Sequence, residues 1–117
     1  SMQASLRYIN SLNSGRKIAV LGDMFELGEF AKDLHEKVGK EVVENGIDIL
    51  VCSGENAKYI IESAKKCGMN SNNIYYFESR NEIEGFIKNN WKKGDVILFK
   101  ASNGMKFYEI VDKITSI

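Results

Sequence analysis

Two stretches gather the side chains that could do chemistry. The first is Gly22-Asp23-Met24-Phe25-Glu26-Leu27-Gly28 and the second is Lys100-Ala101-Ser102-Asn103-Gly104-Met105. In the first, Asp23 and Glu26 bring carboxyl groups, and the flanking glycines permit a tight backbone path around them. In the second, Lys100 brings a cation and Ser102 a hydroxyl just ahead of an amphipathic helical pattern. The free N–H groups and dipole at a helix N-terminus favour an anion such as a phosphate or carboxylate. Spacing excludes several familiar machines. The chain has no G-x-x-x-x-G-K-[ST] phosphate loop, and Gly22 opens G-D-M-F-E-L-G rather than G-x-G-x-x-G. No serine stands in a G-x-S-x-G elbow, so a nucleophilic triad is not supported. One histidine, His35, and two cysteines, Cys52 and Cys67, are too few for a zinc site or a disulfide framework. No metal ligands are assigned, and a reducing, cytoplasmic setting is expected.

Each stretch follows an apolar run that would place it at a strand's end. Four such runs occur: 17–21, 48–52, 74–77 and 95–99. Three are continuous aliphatic runs, as in strands buried on both faces of a parallel sheet. The third, Ile74-Tyr75-Tyr76-Phe77, is shorter and aromatic and suits an edge. Between them lie helical stripes: Phe30, Leu34, Val38 and Val42; Ala57, Ile60, Ile61 and Ala64; Ile83, Phe86 and Ile87; Phe107, Ile110, Val111 and Ile114. Met2, Leu6 and Ile9 suggest an opening helix. Gly46 and Gly68 serve as helix stops, Asn89-Asn90 as a third, and Ser79 with Glu82 has capping-box spacing.

The order α-βα-βα-βα-βα specifies a Rossmann-like three-layer α/β sandwich. It has a mostly parallel sheet of at least four strands and helices on both faces. At 117 residues the chain makes one domain, 1–117. Sixteen basic and sixteen acidic residues cancel, which argues against a general electrostatic grip on nucleic acid or an anionic membrane. No apolar run approaches the roughly 20 residues of a membrane span. In an open parallel sheet, ligands bind beyond the carboxyl ends of the strands. That rule selects the two stretches above together with Ser53-Gly54-Glu55-Asn56 and Glu78-Ser79-Arg80.

Bland roles compete at each position. Asp23 after a strand can be a simple turn residue, and Ser102 is a good N-cap for the last helix. Met105 suits a core or cleft wall, and His35 a packed or surface position. Cys52 suits a small buried hydrophobe and Cys67 a helix end. Tyr75 and Tyr76 suit sheet positions, and Lys92-Lys93 beside Trp91 a solvated turn.

The segment Gly15-Arg16-Lys17-Ile18-Ala19-Val20-Leu21, the G-D-M-F-E-L-G stretch that follows it, His35 within Asp33-Leu34-His35-Glu36-Lys37-Val38-Gly39, and residues 95–105 together resemble the C-terminal domain of the Mur ligase family. The wording G-D-M-x-E-L-G is most similar to the member that adds D-alanyl-D-alanine to a UDP-N-acetylmuramoyl tripeptide in peptidoglycan synthesis. The resemblance covers nearly the whole chain. It implies a domain that closes over ATP and positions the incoming amine. The nucleotide- or substrate-facing residues would be Asp23, Met24, Glu26 and His35, and Lys100, Ser102, Asn103 and Met105 would position the dipeptide. No catalytic residue is implied in this piece, which is expected to be inactive alone. ATP and Mg2+ would be held mainly by a central domain, and the UDP-muramoyl tripeptide by an N-terminal one; both domains are the implied partners. Two departures stand out: Ala101 where the family has glycine, and Asn103 where a basic residue is frequent. The family's first strand of this domain is also missing. Another Mur-type amino-acid ligase domain and a free-standing flavodoxin-like ligand-binding module remain as alternatives.

Overall fold

In the computed structural model, residues 2–24, 28–102 and 105–115 are described, the last four as backbone. The elements are α1 (Met2–Ser11), β1 (Lys17–Gly22), α2 (Ala31–Glu44), β2 (Ile49–Ser53), α3 (Ala57–Lys66), β3 (Ile74–Tyr76), α4 (Arg80–Asn90), β4 (Val96–Lys100) and α5 (Phe107–Thr115). Short 3-10 turns at Gly28–Phe30 and Ser71–Asn73 lead into α2 and β3. The strands form one sheet in the order β3-β2-β1-β4, every pair parallel.

Strand alternation sorts the core into two layers. Ala19, Leu21, Leu50 and Cys52 point to the face covered by α1, α2 and α3. Ile18, Val20 and Val51 point to the other face, under α4 and α5. The expected three-layer sandwich is what the chain forms. β3 lies at an edge, in keeping with its length. β4 departs from the expectation drawn from its unbroken aliphatic run. It is the opposite edge strand, and its residues are only half-buried.

The chain steps from β1 to β2 to β3 in one direction, then crosses by α4 and places β4 on the far side of β1. The gap between the carboxyl ends of β1 and β4 is therefore the topological switch point, where open α/β sheets bind ligands.

Local chemistry sets the helix ends. Gly46 and Gly68 take left-handed φ of +67° and +103°, closing α2 and α3. At α4, the Ser79 hydroxyl accepts from the Glu82 N–H while the Glu82 side chain accepts from the Ser79 N–H, a complete capping box.

The buried face of α2 differs from the expected stripe. His35, Val38, Gly39 and Val42 are buried, whereas Phe30 is 61% and Leu34 38% exposed. A strict four-residue step drifts by about 40° per step around a helix of 3.6 residues per turn. The run Phe30-Leu34-Val38-Val42 therefore leaves the core at its first two members, and a stripe mixing steps of three and four keeps it. The side chain of Ile114 lies outside the described residues.

Gly39 shows how closely α2 and α3 pack. A Cβ there would stand 2.4 Å from the Ile60 carbonyl oxygen and 2.7 Å from Ser63 Cβ. The Ser63 hydroxyl spans the same crossing to the Glu36 carbonyl. At the amino end of the sheet, Arg16 grips the buried Asp95 carboxylate through Nε (3.0 Å) and Nη2 (2.7 Å) and also reaches the Asn90 carbonyl. The Arg16 hydrogen bond holds Asp95 below the usual carboxylate range, helped by the Lys92 N–H.

Two stability predictions follow from these contacts. Gly39→Ala should cost about 1–3 kcal/mol in urea unfolding, because backbone atoms must move to admit the methyl group. Gly85→Ala, which meets nothing within 4 Å, should be neutral or stabilising by up to about 1 kcal/mol. Asp95 has a depressed folded pKa, so its contribution is full above the unfolded value and lost as pH falls through the folded one. Asp95→Asn should therefore be less stable than the parent at neutral pH, by about 1.5–3 kcal/mol, and the gap should narrow in unfolding curves recorded below about pH 4.

Candidate functional site

The carboxyl ends of β1, β2 and β4 meet around Asp23. Its side chain is nearly buried, and Oδ1 accepts the Ala57 N–H at 2.9 Å, capping α3 from outside the helix. The residue before α3, Asn56, makes no side-chain cap bond, so Asp23 supplies what the local sequence does not. The Asp23 carbonyl accepts the Ser102 N–H at 3.0 Å. One residue thus ties the loop after β1 to the loops after β2 and β4.

Gly54 makes room for that carboxyl group. Its φ is +106°, and a Cβ would lie 2.6 Å from Asp23 Cγ. Tyr76 also holds this turn, donating its hydroxyl to the Gly54 carbonyl at 3.2 Å. Gly22 matters for packing space. A Cβ there would approach Phe107 to 2.9 Å, Ala101 to 3.0 Å and Met105 to 3.1 Å. Gly28 takes a left-handed φ of +57°, as the sequence anticipates.

His35 is fully buried beneath the loop. Its Nε2 accepts the Met24 N–H at 3.1 Å, and Nδ1 lies 2.5 Å from the Ala31 carbonyl oxygen. The Met24 N–H can only donate, so Nε2 is bare and Nδ1 carries the ring proton. Met24 itself is partly buried against the first core layer. Glu26 and Asn103 lie outside the described residues. Cys52 is buried beside Asp23. Burial first, and the Asp23 charge second, pushes its thiol far up, so it is an inert core residue.

Two clefts flank the switch point. One, of about 350 Å³, is lined by Lys100, Ala101 and Ser102 from the β4 end and by Phe107 and Tyr108 from α5. The other, of about 490 Å³, is lined by Ser53, Glu78, Ser79, Arg80, Met105 and Lys106. Lys100 closes β4, as expected. Ser102 is not the N-cap of the last helix. α5 begins only at Phe107, and the Ser102 carbonyl accepts the Met105 N–H at 2.9 Å in an intervening turn. Met105 packs on the second core layer and forms a wall of the larger cleft. The starts of α4 and α5 are joined where Arg80 pairs with Glu109 at 2.5 Å.

Tyr108 and Lys106 are cleft residues that motif reading did not single out, whereas Arg80 belongs to a strand-end loop that it selected. Tyr108 carried a signal, an aromatic ring on the polar side of an amphipathic helix, and it is 57% exposed. Lys106 carried none: it adopts φ +53°, which no lysine announces. Among the described residues, no group of three His, Cys, Asp or Glu side chains could hold a metal ion, and no helix is long and apolar enough to cross a membrane.

These features define a parallel α/β domain with two clefts beside its switch point. The sequence pattern of the Mur ligase, glutamate ligase domain matches residues 1–103, and the chain belongs to the Mur ligase family as its C-terminal domain. It is 38% identical over 112 residues to the UDP-N-acetylmuramoyl-tripeptide–D-alanyl-D-alanine ligase of Bacillus subtilis, covering 95% of this chain and 24% of that enzyme. Against the ligase of the same name from Synechocystis it is 31% identical, covering 97% and 24%. Among solved structures it resembles MurF ligase from Thermotoga maritima in complex with ADP, with TM-score 0.78, 28% identity, and coverage of 98% of this chain and 25% of that one. MurF from Acinetobacter baumannii shares the fold at TM-score 0.80 and 23% identity, covering 100% and 26%. The chain thus spans about a quarter of the length of the curated relatives it matches.

Removing the Asp23 carboxyl group tests the junction. Asp23→Ala should cost about 0.5–2 kcal/mol in denaturant unfolding, the usual range for a lost helix cap. Hydrogen exchange should show the loss concentrated at the Ala57 amide.

Proposed function

We propose that the chain works within an ATP-dependent ligase that joins D-alanyl-D-alanine to UDP-N-acetylmuramoyl tripeptide in the cytoplasm. The observation that carries this reading is the meeting of the G-D-M-F-E-L-G loop and the Lys100–Ser102 loop across one hydrogen bond at the switch point. The two curated relatives named above carry that activity as their name, and the Thermotoga maritima structure holds ADP.

In such a ligase, ATP phosphorylates the tripeptide carboxylate, releasing ADP. The dipeptide amine then attacks the acyl carbon and phosphate leaves. This domain's part is positional: it excludes water and aligns the amine with the acyl phosphate. Lys100 places a cation at the mouth of the smaller cleft, suited to the carboxylate of the dipeptide or a phosphate. Ser102 continues that wall and Met105 backs the adjoining cleft, and Asn103, next in sequence, would join them in positioning the dipeptide. Asp23 and His35 hold the backbone at Met24, and Met24 and Glu26 would face the nucleotide. The phosphate loop, the principal Mg2+ ligands and the muramoyl site belong to the other domains of the longer enzyme.

Ligation assays on the full-length enzyme containing this chain test the reading. Lys100→Met should lower kcat/KM by about 10- to 100-fold, equivalent to one charge-assisted hydrogen bond of about 1.5–3 kcal/mol. The 117-residue chain alone should ligate nothing. Ligation by that chain alone, or an unchanged kcat/KM in Lys100→Met, refutes the assignment.

A further inference from the structure

His35 is a buried side chain that touches no reacting group in the proposed chemistry, and its bonds form a continuous path. The carbonyl of Asp23 and the N–H of Met24 belong to one peptide unit. In a trans peptide these two groups point in opposite directions. On one side the carbonyl accepts the Ser102 N–H at 3.0 Å. On the other the N–H donates to His35 Nε2 at 3.1 Å. The imidazole then passes the polarity on, since Nδ1–H donates to the Ala31 carbonyl in the first turn of α2. The dipoles run head to tail from the β4 loop, through the 23–24 peptide and the ring, into the helix. Each bond in such a chain polarises the next.

We infer that His35 is a positioning residue: its neutral Nδ1–H form locks the 23–24 peptide plane and through it sets the Ser102 backbone at the mouth of the Lys100 cleft. Without an acceptor at Nε2, the Met24 N–H has no partner at a part-buried site, and a peptide flip to satisfy it turns the Asp23 carbonyl away from Ser102. Neither aliphatic nor aromatic replacements supply the acceptor. A glutamine does, because its amide oxygen can reach the place of Nε2. The inference rests on the ligase reading only for what occupies the cleft; the bond path stands on geometry alone.

NMR on the 15N-labelled chain provides the test. The expected result is a ring with bare Nε2 and protonated Nδ1, and a through-hydrogen-bond coupling between the Met24 amide and Nε2. In His35→Phe, the Met24 and Ser102 amides should both exchange about five- to tenfold faster, the effect of losing one neutral hydrogen bond. His35→Gln should restore slow exchange at both. In the full-length ligase, the same pair of variants should raise and then restore the KM for the amine component, with kcat changing less. A protonated Nε2, absence of the coupling, or a His35→Phe chain whose Met24 and Ser102 amides exchange as in the parent overturns the inference. Should His35→Phe not fold, the coupling in the parent and the amide exchange in His35→Gln decide it. If the NMR results hold and the full-length protein does not join D-alanyl-D-alanine, the functional assignment falls and the positioning role stands.

Discussion

Burying the Asp23 carboxyl group is the constraint around which the site end of the molecule is arranged. A polar group taken out of water must find partners or cost several kcal/mol. Asp23 finds its side-chain partner at the start of α3 and gives its carbonyl to the loop after β4. Those two bonds come from segments 34 and 79 residues away in sequence, and they meet only because β1 sits between β2 and β4. Glycine at position 54 is then required twice over, by its positive φ and by the carboxyl group lying where a side chain would be. The central strand, the loop after β2 and the entry to α5 are one mutually dependent unit.

The two ends of the sheet are held differently. At the amino end, a bidentate ion pair between Arg16 and Asp95 joins the starts of β1 and β4, beside the backbone bond from the Val96 N–H to the Arg16 carbonyl. Bidentate guanidinium–carboxylate geometry is rigid and directional, and it fixes the register of the two strands. At the carboxyl end, the joining bonds run through loop backbone, and each side chain used there is satisfied internally. Among the described residues, no buried side-chain nitrogen or oxygen lacks a hydrogen-bond partner. The groups left facing the clefts sit on the loops, at the strand ends and on α4 and α5 near their starts, mounted on a rigid sheet.

Much of this was legible in the sequence because hydrophobic period and strand order follow from local rules. The element order, the edge position of β3, the capping box at Ser79 and the family all came from residues read in place. What escaped depended on three-dimensional register. The face of α2 was misjudged because a four-residue step was followed instead of a mixed one, which put Phe30 and Leu34 into the core and left His35 open between a packed and a surface position. The half-buried state of β4 escaped because an aliphatic run looks alike at the centre and at the edge of a sheet. The N-cap role given to Ser102 failed because α5 starts at Phe107, the first member of its apolar stripe, and not directly after Ser102. The partners of Asp23 and His35 could not be read at all, since backbone N–H groups leave no trace in a sequence.

The balance of charge and the form of the clefts bear on what a domain like this contributes. The formal net charge is zero, and at the switch point the Asp23 carboxyl and the His35 imidazole are spent on holding backbone. A domain that activated its substrate by acid–base chemistry would keep such groups open to the cleft. On the proposed reading the work is orientation, and orientation is sensitive to errors of an ångström or less. That sensitivity gives a physical reason for holding one loop with both a buried carboxyl group of its own and a buried imidazole from α2. The imidazole holds the Met24 N–H, the Ser102 N–H holds the Asp23 carbonyl, and the carboxyl group anchors the start of α3, so the loop has few other ways to lie.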